Sequence, residues 1–115
     1  MPSFKEQDDA IAEVKVIFEG SNGEMAPGRI FLGRPYQKGP GQWACPVGIE
    51  GLHDKLPDIA GGDSFHALCL AHWLIKNRLE TFLANGGKIF RLNDSGLSAF
   101  KLLFPFQAYF NPDQA

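Results

Sequence analysis

The sequence predicts an α+β domain of two layers, an antiparallel sheet of about four strands packed on one long helix, in the order β-β-β-α-β-α. Three observations carry that expectation. Two segments alternate apolar and polar residues with a period of two. One segment of the 63–84 region follows the 3.6-residue period between clear start and stop signals. Three strand-like runs come before that helix, and only one follows it.

The first strand is read from "IAEVKVIFEG", where Val14, Val16 and Phe18 fall on one face and Glu13, Lys15 and Glu19 on the other. Turn formers gather in "SNGEMAPG", so "RIFLGRPYQ" reads as a second strand ending near Pro35 and pairing antiparallel with the first. After the loop "KGPG", "QWACPVGIEG" alternates as a single third strand. Its heavy face holds Trp43, Cys45, Val47 and Ile49, and its bare face Ala44, Pro46 and Gly48. The bare face suits either an edge strand with Pro46 on its open side or a close approach of another backbone, and the edge is preferred.

"LHDKLPDIAGG" reads as a loop that crosses between layers. Asp63 or Ser64 then supplies the N-cap of the long helix, and Asn85 to Gly87 its stop. On a helical wheel Leu68, Ala71, His72, Ile75, Leu79, Phe82 and Leu83 share the core stripe, which leaves Leu70, Trp73 and Leu74 outside it. "KIFRL" predicts a fourth strand, and "NDSGLSAFKLLF" a second helix capped near Asp94 or Ser95. Residues 1–115 are thus one domain, with a core over 10–92 and a C-terminal helix and aromatic tail over 93–115.

Composition bounds the function classes. Hydrophobic residues are 44% and charged residues 21% of the 115, as in an ordinary globular chain, and the net charge is -2. Nucleic-acid binding through phosphates calls for a larger basic surplus, so no nucleic-acid partner is expected. Lys76, Asn77 and Arg78 interrupt the best candidate for a membrane span, and no membrane partner is expected either. The polar, acidic start "MPSFKEQDDA" lacks the basic and apolar regions of a secretory signal, which points to a cytoplasmic protein. Cys45 and Cys69 are then expected as free thiols.

Candidate chemistry centres on "GGDSFHALCLAHWL". His66, Cys69 and His72 recur every three residues, but His66 and His72 lie about 9 Å apart along a helix axis and point roughly 120° apart. No metal and no cofactor are expected. A Cys45 and His72 dyad, lining a pocket between sheet and helix, is the sharper enzymatic idea, with nothing marking an oxyanion site or an orienting carboxylate. "GRPYQKGPGQW" joins Arg34, Tyr36, Lys38 and Trp43 around one hairpin, a mix of charge and aromatic surface suited to binding. The plainer alternative packs Tyr36 on Trp43 as a cross-strand pair.

The succession "RPY", "WxCPVxIxGL", "GxDS" leading into "ALxLA", and "GGxI" resembles a family of short bacterial proteins without an assigned function, over about residues 13 to 92. The resemblance implies a cytoplasmic bacterial protein of one α+β domain, and it brings no catalytic residues. The residues thus favour a small non-enzymatic protein-interaction module, of the kind an inhibitor or immunity factor is. A small-molecule binder or enzyme with Cys45 and His72 in its pocket is the alternative. Self-association as a homodimer through Leu70, Trp73 and Leu74 is expected, with cover by the aromatic tail from Phe100 to Phe110 as the alternative and another protein as a further partner.

Overall fold

The computed structural model describes residues 10–93 and 96–99. Within them β1 (Ala10–Glu19) and β2 (Met25–Gly33) form an antiparallel hairpin, closed by a turn in which the Gly23 N–H donates to the Gly20 carbonyl at 2.9 Å. The inward residues of β1 are the expected ones: Val16 is fully buried and Phe18 nearly so, while Glu13 and Lys15 face out. Strand β2 starts two residues ahead of Pro27, inside the segment read as a loop. Strand β5 pairs only with Arg29 to Leu32, so Pro27 has a ladder partner on one side alone, where a missing N–H is tolerated.

The expected third strand is two strands. β4 (Gln42–Cys45) pairs with β3 (Tyr36–Gly39) and with β6 (Ile59–Gly61), whereas β5 (Val47–Glu50) pairs with β2. Pro46 is the corner between them. It cannot donate to a ladder, and its carbonyl accepts from the Gly33 N–H at 2.8 Å, which ties the corner to the end of β2. Among the described residues the expected four-stranded sheet is therefore eight strands in two sheets, ordered β5-β2-β1-β7-β8 and β3-β4-β6, where β7 spans Lys88–Asn93 and β8 Gly96–Ala99.

The edge reading holds for β5, at the end of the larger sheet, and fails for β4, the middle strand of the smaller one. The bare positions are also covered: Ala44 is buried, and the Phe31 ring lies so close to Gly48 that a Cβ there would strike it. Residues 59–61, read as loop, pair with β4 as β6. A Cβ on Gly61 would come within 2.5 Å of the Ala67 backbone nitrogen, so this glycine lets β6 approach the start of the helix.

That helix, α1 (Ser64–Ala84), begins at Asp63 and ends at Asn85, as its caps predict. It packs on β6 and β4 of the smaller sheet and on β5, β2 and β7 of the larger, joining both into one core. Its buried line is Ala67, Ala71, Ile75 and Leu79, with Leu68, Leu74 and Phe82 against it. The expected stripe is thus displaced: Leu83 is exposed and Leu74 turns inward. Small residues at 67 and 71 explain the shift, because they let the backbone approach β6 closely. Trp43, Val47, Ile49, Leu68, Ile75 and Leu79 share the core as expected.

Strand β7 (Lys88–Asn93) follows the helix and pairs with β1. Where the second helix was expected to begin, β8 (Gly96–Ala99) pairs with β7 instead. Gly96 has φ +109°, a backbone that favours glycine, and it opposes Asn93 in this ladder. The rest of the expected second helix and the aromatic tail lie outside the described residues.

Candidate functional site

Cys45 ends β4 with no solvent exposure, so it lines no open pocket. Its Sγ lies 3.5 Å from the carbonyl oxygens of Gly33 and Pro46, either of which accepts its single proton. Burial, reinforced by the negative charge of Asp58, pushes the thiol up to about 11. A nucleophilic cysteine requires the opposite environment, one that favours thiolate. His72 is half-buried on α1, and its burial lowers its pKa from the ordinary histidine value.

His66 has a structural task at the start of α1. Its N–H donates to Asp63 Oδ1 at 2.7 Å, and its ring Nδ1 accepts from the Gly62 N–H at 2.9 Å. The first bond is that of an N-cap, while the return bond from the His66 ring goes to the N–H of Gly62, one residue before the Asp63 cap, and not to the cap itself as in a capping box. Among the described residues no three His, Cys, Asp or Glu side chains come together as a metal site.

The hairpin residues separate. Tyr36 opposes Ala44 in the ladder and Gln37 opposes Trp43, so Tyr36 and Trp43 point to opposite faces and are not a cross-strand pair. Trp43 packs half-buried on the core. Tyr36 stays partly exposed, and its hydroxyl donates to Asp58 Oδ2 at 2.6 Å. That hydrogen bond, with burial and the Asp58 charge adding to it, raises the phenol to about 12. Arg34 and Lys38 are exposed.

A polar cluster on the outer face of the larger sheet has no counterpart in the sequence reading. The Arg29 guanidinium lies 2.9 Å from Glu13, 3.3 Å from Glu50 and 4.1 Å from the Phe31 ring centre. Burial acts to lower its pKa, and the hydrogen bonds and charges of the two glutamates outweigh that and raise it. The cluster clamps β1, β2 and β5 together over Phe31. Spacings of 16 and 21 residues leave no local signal for it.

Two surfaces among the described residues suit a binding role. An open depression of ≈ 440 Å³ lies beside the β1–β2 turn, floored by Phe18 and Phe82, whose rings meet edge to face at 5.6 Å; Glu24 is the one ionisable side chain among its described lining residues. The other is the outward face of the first half of α1. Phe65 is 64% exposed and Trp73 60%, with Cys69 half-buried between them and Leu70 half-buried beside them. Successive spacings of four put Phe65, Cys69 and Trp73 on one ridge. The Asn77 side chain donates to the Trp73 carbonyl at 2.9 Å and bounds that ridge. Trp73 was legible as an outlier to the core stripe. Phe65 was missed because it precedes the first residue of that stripe, although its distance of eight from Trp73 signals a shared face.

Among the described residues no helix is long and apolar enough to cross a membrane. The chain matches no protein-family model, no curated protein and no solved structure.

Proposed function

We propose that this chain is a small non-enzymatic protein-interaction module whose contact surface is the outward face of the first half of α1. One observation carries the reading: Phe65 and Trp73 stand exposed in a run of twelve residues, 64–75, that contains no Asp, Glu, Lys or Arg. A solvated helix face carries charge, while the centre of an interface is depleted of it and enriched in aromatics. Leu70 adds to the surface, whereas Leu74 belongs to the core. A cytoplasmic setting and membership of the family of short bacterial proteins are parts of the same proposal, and neither assigns an activity. Two free thiols support the setting.

Affinity capture from the native host tests the function, with the wild type and Trp73→Glu used as matched baits. Trp73 is exposed, so the variant keeps the fold, which circular dichroism verifies. Proteins retained by the wild type and lost by the variant support the module. Identical recoveries on the two baits reject it.

A further inference from the structure

Resting on that reading, we infer that the partner of this face is a second copy of the chain, held antiparallel about a two-fold axis that passes beside Cys69. The ridge is nearly symmetric about this residue. Phe65 lies four residues before it and Trp73 four residues after, each about 6 Å away along the helix axis. A two-fold axis at Cys69 therefore lays Trp73 of each copy on Phe65 of the other, an isologous contact that one patch makes with itself. The small cysteine between two large rings is the place where the backbones come near.

Charge favours the same direction. Asp63 caps the beginning of α1, and Lys76, paired with Glu80 at 3.0 Å, lies just beyond Trp73. Antiparallel copies bring the Lys76 and Glu80 pair of one toward Asp63 and the helix start of the other, so that Lys76 faces Asp63. Parallel copies would set Asp63 against Asp63 and align the two helix dipoles.

Size decides the strength. With Phe65 and Trp73 about 60% exposed, the four rings of a dimer contribute roughly 400–500 Å² of buried area. That is the centre of an interface and not the whole of the 1,200 Å² or more expected of a stable one, so association belongs in a weak, micromolar range. Helices packed about 8–10 Å apart leave the two Cys69 Cα atoms roughly 5 Å from each other, inside the span a disulfide or a short bismaleimide bridges.

The test is cross-linking of the purified full chain with a short bismaleimide, alongside its solution mass at high micromolar concentration. Cys45 is fully buried and leaves Cys69 as the reacting thiol. We expect a covalent dimer with the wild type and none with Cys69→Ser. Phe65→Glu and Trp73→Glu should each weaken association by about tenfold or more, as loss of an interface anchor does. A dimer by mass that fails to cross-link, or that survives Phe65→Glu but not Trp73→Glu, overturns the two-fold geometry and leaves the surface in place. A dimer that survives both variants overturns the surface as well. A monomer at every concentration overturns the second copy as partner, whether residues 100–115 or another protein covers Trp73.

Discussion

Cys45 and Tyr36 share Asp58 as a neighbour, and both hold their protons more tightly in the folded chain than in the unfolded one. Below pH 9 both groups are protonated in both states, and their contribution to stability is complete. As pH rises past the ordinary values of 9.0 and 10.0, the unfolded chain releases these protons while the folded chain keeps them. Stability therefore falls through the window up to about 11 for Cys45 and about 12 for Tyr36. Thermal melting across alkaline pH checks this, and Tyr36→Phe should flatten the upper part of the decline. His72 acts in the other direction: its lowered pKa gives stability that is present above the ordinary histidine range and lost on acidification. Alkylation at neutral pH should reach Cys69 well before Cys45, since the latter is buried as a thiol.

At the scale of elements, α1 is defined by its inward line. Leu79 is fully buried and Leu83 is 38% exposed, four residues on. Leu79→Ala should cost about 2–5 kcal/mol, as truncation of a core leucine does. Leu83→Ala should stay within about 1 kcal/mol, and comparable melting losses for the two would contradict the observed face. Gly48→Ala should cost about 1–3 kcal/mol, because the new methyl displaces the Phe31 ring and with it the Arg29 clamp. Chemical denaturation of the three variants measures all of this.

These elements also mark how far the sequence was legible. β1, α1 and β7 have the length and regular period that a local pattern reports. The break of the third strand at Pro46 was hidden, because a strand that leaves one sheet for another keeps its alternation on both sides of the corner. β6 is three residues long, too short for a period, and its identity depends on β4 lying beside it. At the candidate site Trp73 was legible from the wheel. The Arg29 clamp was not, since its partners meet only when three strands assemble.

For the whole molecule, α1 joins two sheets that share no strand, and its inner line is committed to both. The outward half-helix of Phe65, Leu70 and Trp73 is left as the uncharged surface on which the interaction reading rests. Light scattering of the full chain over a micromolar dilution series, wild type against Trp73→Glu, tests most directly whether that surface joins two copies of the chain. We expect the wild-type mass to move from one chain toward two as concentration rises, and the variant to remain at one chain with an unchanged circular dichroism spectrum. A mass that follows the same concentration dependence in both proteins would contradict self-association through this face.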